Sequence, residues 1–386
     1  MNTLMKQKLG GLSESIEEFS AKLNQLQEQD TYTVLCDLLQ KQMKSLRYDQ
    51  IQKDEAGNVI GLIKGFKDQG DIVLLANMGV ELQNDSQANG EHSEKDKTGL
   101  ATSIFAGGLI KRSMAPLDGN LIVCCLPQKE PCGHPIKYLF NHFLKGRNIK
   151  GIILCEPTDF NINIGNKGKI EYEILIREKA GKAHFKTVES TQIKENLISE
   201  LQHLSSKLPS DHELGKSSLK VSHAEYGSSE VLSGNEVRVM VDRTFVLEEN
   251  TQTILKNARK IAQKAYIGDN SALMPKDLEE GDIQLIESNV YKPWKMESHH
   301  PLALHSLEVM QDNDLPVSIG YWQHEITDGS YTYGELGLPT IGYGAGYETD
   351  QVKPTIEDVE KSIYGTALIV YRHIGMPTFG WDESEI

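Results

Sequence analysis

Three short apolar runs in the first half of the chain predict buried strands. They begin at Ile72, Leu121 and Gly151 and consist almost entirely of aliphatic and cysteine residues. Between them, the ranges 101–112 and 136–145 have the length and apolar spacing of crossover helices. Successive strand-helix-strand units form a parallel sheet covered by helices, so the pattern predicts an α/β fold.

The middle of the chain has a different pattern, which predicts a second domain. Residues 170–177 and 236–245 alternate between apolar and polar side chains, as half-exposed strands do. Residues 190–208 and 250–265 have apolar side chains at helical spacing. This strand-helix-strand-helix order is typical of a small α+β domain.

The α/β pattern returns after about Pro293, with helices predicted at 301–311 and 355–373 and a strand near 338–343. An insertion explains this order. We therefore expect one α/β domain built from residues 1–169 and 287–386, interrupted by an α+β domain at 170–286. The polar stretch 81–97 is predicted to be a surface loop.

Charge and composition narrow the classes of partner. A formal net charge of −15 argues against binding to a nucleic acid or an anionic membrane, because both require a cationic surface. No apolar run is long enough to span a bilayer, and no apolar core follows the first lysines as in a signal peptide, so we expect a cytoplasmic protein. The five cysteines are an odd number, and we expect them to be reduced and buried.

Five segments carry a resemblance to a known family, and the most specific is Glu156-Pro-Thr with the Gly-x-Lys-Gly turn that ends at Gly168. The others are Val241-Asp-Arg-Thr, Lys292-Pro-Trp, Thr327-Asp-Gly and Leu338-Pro-Thr-Ile-Gly-Tyr-Gly. In order and spacing they resemble the two-zinc metallopeptidase and amidohydrolase family of aminoacylase, carboxypeptidase G and succinyl-diaminopimelate desuccinylase, especially its bacterial YgeY-like branch. The resemblance implies a zinc-peptidase-like mixed sheet flanked by helices, with an inserted ferredoxin-like lid and dimerisation domain.

The same resemblance locates the first metal ligands at unsuitable side chains. Family members bind two zinc ions through a bridging carboxylate and further His, Glu and Asp ligands, and a separate glutamate deprotonates the metal-bound water. Met78 and Val80 stand where the family has its His-x-Asp pair. A thioether and an isopropyl group cannot replace an imidazole and a carboxylate at zinc.

The bridging position is occupied by Lys95 if Lys97 is aligned with the family's lysine and the spacing to Gly107 is kept. A shift by one residue would place Asp96 there instead, but it requires a deletion at the start of a helix, where deletions are tolerated less well than in loops. We favour Lys95 at this position.

Four further positions of the family's site can be located in this sequence. Lys129 falls on the general base and Glu130 on a metal ligand, while Glu156 keeps the ligand of the Glu-Pro-Thr motif. The last ligand, a histidine in the family, corresponds to Asp350. A protonated lysine cannot take a proton from water, so the family mechanism is predicted to be lost.

The charges at these positions suggest that the changes belong together. Carboxylates gathered without a metal repel one another or bind protons. Here Glu130, Glu156 and Asp350 would face Lys95 and Lys129, so we expect ammonium groups to replace the metal through direct Lys–Glu contacts.

The inserted domain keeps part of the family's pattern. Arg243 persists and is predicted either to bind an anion or to form a surface ion pair, whereas Glu230 replaces the family's substrate-binding asparagine. His184 resembles the histidine that crosses the dimer interface to stabilise the oxyanion in the neighbouring subunit.

These observations leave three hypotheses. The first is a non-catalytic structural or regulatory subunit without a cofactor, pairing through the inserted domain as a homodimer or with an active family member. The second is a binding protein for an acyl-amino acid or another small anion. The alternative is an active zinc-dependent hydrolase that cleaves an amide bond of a small N-acyl amino acid or peptide-like substrate.

Overall fold

The structure is a computed structural model. It describes residues 1–26, 32–67, 69–84, 87–89, 93–128, 130–177, 190–226, 236–267, 282–349 and 352–376. The chain divides into two compact units, Met1–Asn166 with Lys295–Ile386, and Lys167–Trp294. The second unit is inserted in the first, and it begins before and ends after the predicted range 170–286.

Helices and strands are distributed along the whole described part of the chain. The helices are α1 (Asn2–Gly10), α2 (Ser13–Gln25), α3 (Tyr32–Ser45), α4 (Glu94–Arg112), α5 (His134–Asn141), α6 (Ser190–Ser206), α7 (Thr251–Ile267), α8 (Pro301–Gln311), α9 (Gly329–Thr332) and α10 (Ile356–Ile374). The strands are β1 (Gln50–Lys53), β2 (Val59–Ile63), β3 (Asp71–Asn77), β4 (Glu81–Asn84), β5 (Gln87–Asn89), β6 (Asn120–Leu126), β7 (Ile149–Leu154), β8 (Ile162–Asn166), β9 (Gly168–Arg177), β10 (Ser210–Asp211), β11 (Gly215–Lys216), β12 (Leu219–Tyr226), β13 (Glu236–Phe245), β14 (Ile283–Tyr291), β15 (Trp294–Lys295), β16 (Ile319–Trp322) and β17 (Thr340–Gly342).

The first unit is built on a mixed nine-stranded sheet. Its order is β1-β2-β6-β3-β7-β17-β8-β15, and β16 pairs with β8. At its centre β3 is parallel to β6 and β7, while β2 is antiparallel to β6. The three predicted apolar runs are therefore confirmed as adjacent, buried parallel strands, and their carboxyl ends meet at one edge of the sheet.

Helix α4 begins earlier than predicted, and the stretch 81–97 is not simply a loop. Strands β4 and β5 pair within it. The helix begins at Glu94 because Ser93 and Asp96 form a reciprocal capping box, in which Ser93 Oγ accepts from the Asp96 backbone N–H. The first turn of α4 is polar, so apolar spacing alone did not reveal it.

The second unit has a ferredoxin-like arrangement. Its four-stranded antiparallel sheet has the order β12-β13-β9-β14, and its elements follow the chain order β-α-β-β-α-β. Alternate residues of β9 and β13, from Ile170 to Ile176 and from Val237 to Val241, form a core with α6 and α7. The predicted boundary at 286 lies inside β14, whose central residues are exposed and give little apolar signal.

The helices and the cysteines of the described residues agree with two expectations from composition. None of their helices combines the length and the unbroken apolar character that a bilayer span requires. All five cysteines are buried free thiols, as predicted.

Candidate functional site

The carboxyl end of β3 positions the first two candidate residues. The strand is buried along Ile72–Ala76 and ends at Asn77, and the Met78 backbone N–H then donates to the Leu126 carbonyl at 2.8 Å. Met78 and Val80 are both buried apolar side chains in the structure. The place after β3 therefore contributes packing and offers no charged or imidazole ligand at these two residues.

Glu156 lies just beyond the end of the neighbouring strand β7, half-buried. Its Oε1 accepts a hydrogen bond from the side-chain amide of Asn77 at 3.3 Å. Two glycines allow close packing here: a Cβ on Gly344 would lie 2.5 Å from the Glu156 carbonyl oxygen, and one on Gly99 would lie 2.4 Å from the Cys155 carbonyl oxygen. The backbone around Glu156 is thus tightly enclosed.

A second carboxylate, that of Asp328, belongs to the segment before α9 and is 1% exposed. Gln128 Nε2 donates to both of its oxygens, at 2.9 and 2.8 Å, and the Cys132 backbone N–H donates to Oδ1 at 2.6 Å. Burial raises the pKa of Asp328, although the hydrogen bonds from Cys132, Gln128 and Asn77 partly counteract this effect. The carboxyl group is held by neutral donors.

These contacts form one continuous network, because Gln128 Nε2 also donates to Asn77 Oδ1 at 3.0 Å. We call Asn77, Gln128, Glu156 and Asp328 the amide network, since two side-chain amides connect its two carboxylates. Gln128 is 3% exposed, and its Oε1 has no hydrogen-bond partner in the described part of the structure. The network joins the ends of β3, β6 and β7 to the segment before α9.

The amide network was not foreseen as a whole. The sequence predicted Glu156 as a site residue and used Thr327-Asp-Gly only as a sign of fold. Asn77 and Gln128 were not singled out, although each adjoins a candidate residue, Met78 and Lys129 respectively. A polar residue at the end of each buried parallel strand is the signal that could have identified them.

Two other candidate residues, Glu130 and Asp96, lie in the described part of the structure. Glu130 is exposed. Asp96 accepts from the Ser93 backbone N–H at 3.2 Å within the capping box. Lys95 lies in the first turn of α4, and its side chain is outside the described part of the structure, as are Lys129, Asp350, His184 and Glu230. The predicted Lys–Glu contacts remain predictions for that reason.

Arg243 belongs to the inserted unit and is 4% exposed. It forms an ion pair with Glu249, which also accepts from Ser217 Oγ at 2.9 Å and from the Val246 backbone N–H at 3.4 Å. Arg243 therefore pairs with a partly buried carboxylate of its own unit.

A metal centre like that of the resembled family would need ligands among these residues. Among the described residues, no three His, Cys, Asp or Glu side chains are grouped so that they could hold a metal ion. The carboxylates of the amide network instead accept N–H groups from Asn77 and Gln128. A two-metal centre requires several converging anionic or imidazole ligands.

Comparisons with known proteins reveal relatives over most of the chain. No model of a protein family matches it. It is 24% identical over 363 residues to the uncharacterized protein YgeY of Escherichia coli strain K12, with 87% of each chain covered.

Solved structures give longer matches at lower identity. A putative aminohydrolase from methicillin-resistant Staphylococcus aureus matches with a TM-score of 0.71 at 12% identity, covering 97% of this chain and 100% of that one. Aminopeptidase PepT from Bacillus cereus matches with 0.66 at 17% identity, covering 93% and 98%. The YXEP protein of Bacillus subtilis, a dinuclear metal-binding peptidase from the M20 family, matches with 0.68 at 13% identity, covering 94% and 99%. The chain therefore has the fold of the M20 dinuclear metal-binding peptidases.

Proposed function

We propose that this chain is a diverged relative of the M20 peptidases and amidohydrolases that does not hydrolyse amides by a two-metal mechanism. It acts as a structural or regulatory subunit, or as a binding protein for a small anion such as an acyl-amino acid. The likeness of fold along nearly the whole chain supports the kinship. The amide network supports the loss of hydrolysis.

The single observation that carries the proposal is the pairing of two carboxylates with two side-chain amides. A dinuclear centre neutralises its carboxylates with divalent cations. Here Asn77 and Gln128 satisfy oxygens of Glu156 and Asp328 with neutral N–H donors. A cation at this position would compete with those donors, and the buried amide of Gln128 would lose its carboxylate acceptor, which costs free energy.

The first ligand position gives independent support. Buried Met78 and Val80 pack directly after β3, and neither side chain supplies a ligand for a borderline or hard cation. The apolar side chains after β3 and the engagement of Glu156 and Asp328 by amide donors have the same consequence, since both disfavour a metal ion at this edge of the sheet.

The two carboxylates of the network already accept hydrogen bonds. Asp328 is almost completely buried and accepts from Gln128 and from the Cys132 backbone, which disfavours its use as a base for water. Glu156 has one oxygen engaged by Asn77. The use of both carboxylates as hydrogen-bond acceptors supports the proposed loss of hydrolysis.

An activity assay tests the proposal. The purified protein is incubated with N-acetyl amino acids and dipeptides in the presence of zinc, manganese or cobalt, beside the Glu156→Gln variant. We expect no turnover above the metal-only blank and no difference between the two proteins. Turnover by the natural chain that disappears in Glu156→Gln would contradict the proposal.

The partner part of the proposal has a separate test. Association through the inserted unit, as a homodimer or with an active hydrolase, is checked by affinity purification followed by mass determination of the intact assembly. A strictly monomeric chain would remove this part. Binding of acyl-amino acids is measured on the same material by thermal shift.

A further inference from the structure

The carboxylate of Glu348 accepts hydrogen bonds from three consecutive backbone N–H groups. Its Oε1 accepts from Gln323 at 2.7 Å, and its Oε2 accepts from His324 at 2.7 Å and from Glu325 at 3.3 Å. We call these three N–H groups the 323–325 nest. Successive backbone N–H groups that converge in this way form an anion-binding concavity.

The nest is held in place on its amino-terminal side by β16. Trp322, the last residue of that strand, is buried and donates its indole N–H to the Pro157 carbonyl at 3.0 Å. The strand pairs with β8 up to Trp322 and Asn166. The three donors therefore follow directly from a rigid, buried anchor beside the Glu156-Pro157 segment.

A second anchor fixes the carboxyl-terminal side. Buried Thr327 donates its hydroxyl to Asn166 Oδ1 at 2.7 Å and its backbone N–H to the same oxygen at 3.3 Å. The next residue is Asp328 of the amide network. With both ends fixed, the nest keeps its donors oriented at little conformational cost when an anion binds.

The present occupant shows what the nest can hold. Glu348 stands in a connection between β17 and α10, and its carboxylate is chemically equivalent to that of a small carboxylic acid. Its three hydrogen bonds are of the charge-assisted kind, which are stronger than neutral ones. Without Glu348, three aligned donors would be left to water or to another anion.

We propose that the 323–325 nest is a binding site for the carboxylate group of a small ligand, and that Glu348 is its intramolecular occupant, which leaves when the ligand binds. This proposal rests on the ligand-binding part of the proposed function. A tethered carboxylate competes at an effective concentration of about a millimolar or more. The natural chain therefore binds carboxylates more weakly than a chain without the Glu348 charge.

The test uses sodium acetate as the probe and sodium chloride at equal concentration as the ionic-strength control. Melting temperatures are measured for the natural chain, Glu348→Ala and Glu348→Gln. Glu357→Ala, at an exposed position in the first turn of α10, is the control for the loss of one carboxylate. We expect acetate to raise the melting temperature of Glu348→Ala most, that of Glu348→Gln less, and those of the natural chain and Glu357→Ala least. An equal response to acetate in all four proteins, or no response in any, would overturn the proposal.

A second readout applies if Glu348→Ala does not fold. In Glu348→Gln a neutral amide fills the nest, and it competes with acetate less well than the carboxylate does. In NMR titrations we therefore expect acetate to shift the backbone amide signals of Gln323, His324 and Glu325 with about tenfold higher apparent affinity than in the natural chain. Tighter acetate binding by Glu348→Gln than by the natural chain supports displacement, and equal or weaker binding refutes it. The acetate experiments do not depend on the metal content of the protein. A failure of this proposal is therefore distinguishable from a failure of the hypothesis that the protein holds no metal.

Discussion

The side-chain amide of Gln128 donates to both carboxylate oxygens of Asp328, although the two residues are 200 positions apart in the chain. This contact connects the end of β6 to the segment before α9, and through Asn77 it extends to Glu156. Carboxylates of this edge are thus compensated by amides. The replacement of metal chemistry by hydrogen bonding is the central feature of the proposed function.

Gln128→Glu places a second carboxyl group against buried Asp328, so we expect a loss of about 3 kcal/mol in the free energy of unfolding at neutral pH. One of the two carboxyl groups then acquires a raised pKa. A raised pKa stabilises the fold below the unfolded value and loses that effect as the pH rises, so the defect should shrink in acid. Urea unfolding at several pH values measures it. Gln50→Glu, on exposed β1, is the control, and equal effects of both changes would refute the account.

Glu249→Ala removes the partner of buried Arg243 and leaves a guanidinium group without its counter-charge. We expect a loss of about 3 kcal/mol in stability, whereas Glu248→Ala, at the exposed neighbouring position, should have little effect. Denaturant unfolding of the two variants makes the comparison. If Glu249→Ala is tolerated and acquires affinity for acetate, Arg243 is an anion site and not a structural cation.

His373 gives the fold a sensitivity to acid. Burial lowers the pKa of this imidazole from 6.5 to about 4, with help from His305, and Ser306 Oγ lies 3.2 Å from its Nε2. The unfolded chain binds a proton below 6.5 that the folded chain does not accept until about 4, so stability falls as the pH drops through this window. The loss attributable to this group is at most about 3 kcal/mol.

The measurement is a set of melting curves between pH 7 and pH 4. In His373→Gln the curve should be flatter over this range than in the natural chain, because no buried imidazole remains to be titrated. The exposed position His203 provides the control variant His203→Gln. An unchanged pH profile in His373→Gln would show that another group determines the acid sensitivity.

Gly344→Ala should destabilise the site without touching any of its side chains. The new Cβ would lie 2.5 Å from the Glu156 carbonyl oxygen, and the neighbouring Thr158 bridges to Gly344 in both directions, at 3.2 and 3.1 Å. Because backbone atoms must move, we expect a loss of about 1–3 kcal/mol. Gly10→Ala, where nothing lies within 4 Å, is the matched control. A neutral Gly344→Ala would mean that the Glu156 backbone can yield.

Much of the fold could be predicted from the sequence, because strands such as β3, β6 and β7 are buried on both faces and appear as continuous apolar runs. Helices α1 to α3 and strands β1 and β2 were not predicted. Strand β14 was also missed, because most of its residues are exposed and only its ends carry buried side chains. Such an edge strand is recognisable only from its pairing with β9.

The candidate site was predictable only in part. Motif spacing located Met78, Val80 and Glu156, since each directly follows a buried strand. The contact between Gln128 and Asp328 depends on the alignment of β6 with a loop far along the chain, and no local pattern encodes that distance. The engagement of Glu348 by the 323–325 nest is likewise a tertiary contact between two connections.

Metal content measures the central claim most directly. The natural chain and Glu156→Gln are produced in zinc-supplemented medium, purified without chelators and analysed by inductively coupled plasma mass spectrometry together with native mass spectrometry. We predict zinc far below stoichiometry in both proteins and identical intact masses apart from the substitution. Stoichiometric zinc in the natural chain that is lost in Glu156→Gln would contradict the claim that amides have replaced metal ions at this site.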